Sequence, residues 1–156
     1  MKVRLFVLGK LKEPALKVLC EDYIQRIQRF HDFVVEEIPD ESIHAKIPVE
    51  KILEKEAERI LNKLKPGAML VLLDVRGQQL TSEALAKQLE SWLQAAVQEI
   101  VFVIGSAHGF SQSLKERAQF RLSLSKLTFP HQLVRVIALE QIYRAWTVIK
   151  NIKYHY

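Results

Sequence analysis

Apolar residues fall into two alternating rhythms along the chain. Short, nearly continuous apolar runs occur at Lys2–Leu8, Phe33–Ile38, Ala68–Leu73, Ile100–Ile104 and Phe120–Leu124, each flanked by turn residues, and these predict strands. Between them, apolar residues recur every three or four positions. Leu16, Leu19, Tyr23, Ile24 and Ile27 mark a helix over 13–29, and Ile52, Leu53, Ala57, Ile60, Leu61 and Leu64 mark one over 49–64. Pro66-Gly67 breaks the latter, and Asp74 closes the strand that follows. Thr81 or Ser82 is placed to cap a helix running to Ala96, and Ser111 a short one to Ala118. Residues 40–48 show no period and read as a loop. Strands alternating with helices predict an α/β domain over residues 1–156, with a mainly parallel sheet and helices on both faces.

The last helix, opening at Pro130, departs from the one-stripe pattern of a surface helix. At about 100° per residue, His131, Gln132 and Arg135 share one side of its first half. Glu140, Arg144, Thr147 and Asn151 fall nearly opposite in its second half. Most remaining positions are large and apolar, so the helix is expected to be buried on different sides at its two ends. A second copy of the chain is the simplest cover for the side that its own sheet does not reach, which predicts a homodimer.

Composition narrows the chemistry. Lys and Arg outnumber Asp and Glu by 23 to 18, giving a formal charge of +5 and favouring an acidic partner without specifying one. Cys20 is the sole cysteine, which excludes an internal disulfide and any multi-thiolate cluster within one chain. Its place after Leu16 and Leu19 on one helical face predicts a core residue, as does that of Trp92 a core or interface residue. His31, His44 and His108 lack the short spacing of a metal site, so no metal is expected. No apolar run approaches the roughly 20 residues of a membrane span, and the N-terminal run is too short for a signal segment. A cytoplasmic protein with no membrane partner is expected.

Open α/β sheets bind ligands beyond the carboxyl ends of their strands. Three such ends stand out: Leu73-Asp74, Gly105-Ser106, and the stretch from Leu124 to Phe129. Gly105 fits either close approach of a ligand to the backbone or a tight turn. His131 and Arg135 are four apart and fit either hydrogen-bonding to a ligand or bridging structure. Glu140 and Arg144 are likewise four apart, with the acid first, as in a helix salt bridge. Lys150–Tyr156 mixes cations with aromatics, a combination able to neutralise phosphate and stack a base.

The string Ser125-Lys-Leu-Thr-Phe-Pro-His-Gln-Leu-Val-Arg-Val136, followed by Glu140-Gln-Ile-Tyr-Arg-Ala145 and Tyr154-His155, resembles the ribosomal RNA large subunit methyltransferase H group of the SPOUT class. The resemblance runs end to end, from Met1-Lys2 and Gly9-Lys-Leu-Lys12 to the tail. It implies a C-terminal trefoil knot and the cofactor S-adenosyl-L-methionine. The cofactor-binding positions it implies are Leu73, Gly105, Leu124, Ser125, Lys126, Leu127, Thr128 and Phe129. It further implies methylation of N3 of a pseudouridine in helix 69 of 23S rRNA, on the assembled 70S ribosome. Arg144, Glu140 and His131 are the catalytic candidates, and Arg135, Arg144, Tyr154 and His155 the RNA contacts. Ser106 stands where the group usually has a second glycine, tolerable if its φ is negative. Tyr156 stands where the group usually has a basic residue. Rival readings are a non-catalytic ribosome-binding factor with this fold and a methyltransferase acting on another RNA nucleotide.

Overall fold

The computed structural model describes residues 1–42 and 46–154, so His44, His155 and Tyr156 lie outside the described residues. In chain order the elements are β1 (Lys2–Leu8), α1 (Pro14–Gln28), β2 (Phe33–Ile38), α2 (Val49–Leu61), β3 (Met69–Gln79), α3 (Ser82–Gln94), β4 (Glu99–Ile104), α4 (Gln112–Arg117), β5 (Phe120–Ser123) and α5 (His131–Ile149). The five strands form one sheet in the order β2-β1-β4-β3-β5, with every neighbouring pair parallel.

Alternation along the strands sends side chains to two cores. Val3, Leu5 and Val7 of β1 and Ile100, Phe102 and Ile104 of β4 meet α1, α3 and α5. Phe6 and Leu8 of β1, with Val101 and Val103 of β4, meet Ala57 and Ile60 of α2 and Leu114 of α4. Strand β4 lies buried throughout, and each large side chain buried there contributes about 1.5–3 kcal/mol. Its one charged residue, Glu99, is 0% exposed and is satisfied by two hydrogen bonds from Arg4 Nη1, at 3.1 and 3.0 Å, and one from the Lys65 N–H.

Thr81 and Ser111 cap α3 and α4 as expected, accepting from the N–H groups of Ala84 and Leu114. Cys20 and Trp92 are core residues, Trp92 meeting Phe102 and Phe120 edge-on. Burial holds the Cys20 thiol above its ordinary pKa. His31 Nε2 is buried without a hydrogen bond and the ring stacks on Trp146 at 5.0 Å; burial lowers its pKa.

Three expectations are corrected. Leu19 faces outward, 45% exposed beside exposed Val18, so the inward face of α1 runs through Leu16, Cys20, Tyr23 and Ile27. Thr147 is fully buried; its hydroxyl donates to the Arg144 carbonyl at 2.7 Å, which removes the cost of burying it. Strand β3 does not end at Asp74 but continues to Gln79 through a bulge.

Candidate active site

The bulge places the first wall of the site. Leu122 of β5 is paired with Leu73 and again with Gln78, so residues 74–77 loop out of the ladder between them. Gly77 makes this possible, since a Cβ there would lie 2.6 Å from the Arg121 carbonyl oxygen. Asp74, Val75 and Arg76 thereby line a cleft of about 580 Å³. The Asp74 carboxylate is engaged at the wall: Oδ1 accepts the Arg76 N–H at 3.0 Å, and Oδ2 lies 3.5 Å from Arg121 Nη1, an ion pair without hydrogen-bond alignment.

The second wall is the loop after β4. A Cβ on Gly105 would meet Phe110 Cε1 at 2.8 Å and the Gly109 carbonyl at 3.0 Å. The glycine is thus required for the loop to fold back on Phe110, and the space it keeps clear is filled by protein. Ser106 takes no positive φ, so the serine costs the backbone little. Its hydroxyl donates to Glu56 Oε1 at 2.6 Å, and Glu56 Oε2 accepts the Glu41 N–H, so this buried carboxylate holds the loop against α2.

The third wall is the segment between β5 and α5. Leu124, Ser125, Leu127, Thr128 and Phe129 line the cleft together with Leu73 and Gly105; Lys126 belongs to the same segment, outside the lining, with an exposed side chain. Ser123 Oγ donates to the Ser125 carbonyl, and Ser125 Oγ accepts the Leu127 N–H, which sets the segment's course. Lys126 and Thr128 make no backbone hydrogen bond among the described residues, and Leu127 is 70% exposed. The segment therefore offers free main-chain donors and acceptors beside apolar surface.

Helix α5 anchors this segment from below. His131 lines the cleft, and its Nε2–H donates to the Leu8 carbonyl at 3.0 Å. Gln132 Oε1 accepts from the N–H groups of Lys12 and Glu13. Arg135 is 4% exposed, bound by Glu37 Oε2 at 2.8 Å and the Gly9 carbonyl at 3.2 Å. Burial tends to raise the Glu37 pKa, but hydrogen bonds from Arg135 and the Leu11 N–H outweigh it and hold the carboxyl below its ordinary value. The polar patch of the first half of α5 is real, but it is turned inward onto residues 8–13.

The family model described as "Predicted SPOUT methyltransferase" matches residues 1–155. The chain is 43% identical over 158 residues to Ribosomal RNA large subunit methyltransferase H of Ruminiclostridium cellulolyticum, covering 99% of each. It is 42% identical over 153 residues to the protein of that name in Caldicellulosiruptor saccharolyticus, covering 98% of this chain and 99% of the relative. The chain belongs to the ribosomal RNA large subunit methyltransferase H family of SPOUT methyltransferases. A Legionella pneumophila methyltransferase, solved with bound SAM, shares the fold at a TM-score of 0.51 and 14% identity, over 91% of this chain and 65% of the other.

In this SPOUT methyltransferase the remaining site residues form a separate cluster. Glu140 lies nine residues beyond His131, about 13 Å further along α5 and half a turn round it. Glu140 Oε1 accepts from Arg144 Nε at 2.9 Å and from the Tyr154 hydroxyl at 3.2 Å, and Oε2 from Gln141 Nε2. The Arg144 guanidinium sits over the Tyr154 ring at 4.8 Å, and Tyr154 meets Tyr143 edge-on. The hydrogen bond to Glu140 raises the Arg144 pKa. Within one chain, this cluster and the cleft do not share a crevice. Among the described residues no group of three or more His, Cys, Asp or Glu could hold a metal ion, and no helix is long and apolar enough to cross a membrane.

Burial, its hydrogen bond with Tyr23 and the Glu140 charge push the Tyr154 pKa up to about 12. Because the folded value exceeds the ordinary 10, this contribution to tail docking is intact below pH 10 and lost as pH rises through 12. Ultraviolet titration is expected to show a late phase near pH 12 that Tyr154→Phe removes.

Asp74, at a strand end the sequence marks, lines the cleft, whereas Val75, Arg76, Phe110 and Lys115 line it but escape a reading of strand ends. Gly77 inside an otherwise strand-like run was the available sign of the bulge.

Proposed function

We propose that the chain transfers the methyl group of S-adenosyl-L-methionine to N3 of a pseudouridine in helix 69 of 23S rRNA, acting as a homodimer on the 70S ribosome. The observation that carries this reading is the cleft itself. Its volume lies within the roughly 300–1,000 Å³ typical of ligand sites, and its walls pair apolar side chains with free main-chain groups. A flat neutral base asks for that combination: directional bonds at its edge and apolar contact on its faces. Leu73, Gly105 and the segment Leu124 to Phe129 would hold the cofactor, Leu127 and Phe129 supplying ring contacts. The trefoil threading implied by the family resemblance belongs to the same reading.

When bound, the cofactor supplies an activated methyl group on sulfonium, so the chain's task is chiefly alignment of the acceptor nitrogen. That nitrogen carries a weakly acidic proton whose loss must be assisted. Arg144 would stabilise the negative charge developing on the base or hold its phosphate. Glu140 already accepts bonds from three side chains, which suits fixing Arg144 and Tyr154 more than taking a proton. His131 contributes by fixing the cofactor segment to Leu8. Arg135, enclosed by Glu37 and Gly9, we assign to positioning and leave out of the RNA contacts. Those are Arg144, Tyr154 and His155.

Two clusters on opposite sides of one helix can meet only across two chains. Between them α5 presents Leu133, Val136, Ile137 and Tyr143, each incompletely buried, as the surface a second copy would cover. A cytoplasmic location fits a ribosomal substrate.

Ribosomes lacking the modification, incubated with labelled cofactor, are expected to take label at helix 69. Label elsewhere would remove the target, and none at all would favour the non-catalytic binding reading. Arg144→Ala is expected to lower methylation about 100-fold with cofactor affinity unchanged; an equal loss of cofactor affinity would place Arg144 at the other site.

A further inference from the structure

The mouth of the cleft carries charge that the cofactor does not call for. Arg76 and Lys115 line it, and Lys126 stands exposed on the segment that closes it. None of these three is in an ion pair among the described residues. The acid on the wall, Asp74, is already offset by Arg121. Two uncompensated cations therefore line the opening and a third stands exposed on the segment beside it, on a chain whose formal net charge is +5.

S-adenosyl-L-methionine is itself a cation at neutral pH, its sulfonium and ammonium outweighing one carboxylate. Fixed positive charge at the mouth opposes its entry, though weakly, because the Debye length is about 8 Å at physiological salt. A phosphodiester strand has the opposite sign and a repeating spacing that several cations can meet at once. We propose that Arg76, Lys115 and Lys126 form a phosphate rim that seats the RNA backbone across the mouth of the cleft, so that RNA and cofactor bind with positive coupling. This rests on the cleft being the cofactor site.

Coupling of this kind is reciprocal. Phosphates that neutralise the rim remove its repulsion of the sulfonium, and a bound sulfonium in turn draws the phosphates. The demethylated product, S-adenosylhomocysteine, has lost the sulfonium charge and is coupled less strongly. RNA at the rim thus favours the methyl donor over the spent cofactor.

The test is the double variant Arg76→Gln/Lys115→Gln, which leaves Lys126 and the cofactor segment intact. Binding to ribosomes lacking the modification is measured over a salt series, and cofactor affinity by calorimetry with and without ribosomes. The slope of log K against log salt is expected to fall by about 2, one for each phosphate that the variant no longer neutralises. Cofactor affinity of the free variant should match or exceed that of the native chain. In the native chain, ribosomes should raise affinity for S-adenosyl-L-methionine about fivefold, more than for S-adenosylhomocysteine, and the variant should lose that gain. An unchanged salt slope would overturn the rim. So would a variant that loses cofactor affinity while keeping the slope, since the cations would then serve the cofactor's carboxylate. A native chain that binds no cofactor would strike the reading of the cleft instead, and is seen before any variant is made.

Discussion

Gly105→Ala is expected to weaken cofactor binding about tenfold or more while the chain stays folded. The backbone at Gly105 is not in the left-handed region, so alanine meets no conformational barrier. The obstacle is space: the new methyl group would stand 2.8 Å from Phe110 Cε1 and 3.0 Å from the Gly109 carbonyl oxygen. Phe110 is 7% exposed and packs in the core under α2 and α4, so it has little room to retreat. Overpacking of this kind costs about 1–3 kcal/mol. The cheaper response is displacement of residues 105–109, one wall of the cleft, and each 1.4 kcal/mol felt there is about tenfold in affinity. Calorimetry with S-adenosyl-L-methionine, beside a thermal melt, separates the two responses. A large drop in melting temperature with native affinity would show that the core yields and the wall does not.

Glu37→Ala should destabilise the chain by about 3 kcal/mol. It leaves the Arg135 guanidinium, whose side chain is 5% exposed, with the Gly9 carbonyl as its remaining partner. Breaking a buried pair costs about 3–5 kcal/mol, and the low end applies because the Glu37 side chain is 45% exposed and water can enter where it stood. Arg135→Met in the same chain should recover much of the loss, because no unpaired charge is then left behind. Denaturant unfolding of the single and double variants decides this. The pair also has a pH signature. The Glu37 pKa is depressed on folding, so its contribution is present above the ordinary 4.5 and is lost as pH falls through the lower folded value. Native protein should therefore lose more stability than Glu37→Gln on acidification below pH 4.5.

The alternation of strand and helix was legible in the sequence because each element buries a face, and burial leaves a period. The carboxyl-end loops were legible as a site for the same reason, since strands that end together bring their loops together. What periodicity does not carry is the identity of the partner. His131, Gln132 and Arg135 stood out as polar, but their partners at Leu8, Lys12, Glu13, Gly9 and Glu37 lie roughly a hundred residues away in the chain. Three polar side chains on one face therefore fitted a ligand contact or a structural bridge equally well, and they are an internal joint. The bulge after Leu73 was hidden by its own residues: Asp74, Arg76 and Gly77 together look like a turn that ends a strand, and only the ladder with β5 shows the strand resuming at Gln78. Glu140 and Arg144 were legible as a pair by spacing, whereas the arrival of Tyr154 from the tail required the structure.

The order of strands in the sheet has a consequence for synthesis on the ribosome. Strand β1 lies between β2 and β4, so when its first neighbour has emerged its other edge still awaits residues made some sixty positions later. The turn leading into α1 waits longer still, for Gln132. The amino-terminal third of the nascent chain thus cannot settle until nearly all of the protein has left the exit tunnel, and a prematurely terminated product would present an unfinished sheet edge to proteases and chaperones.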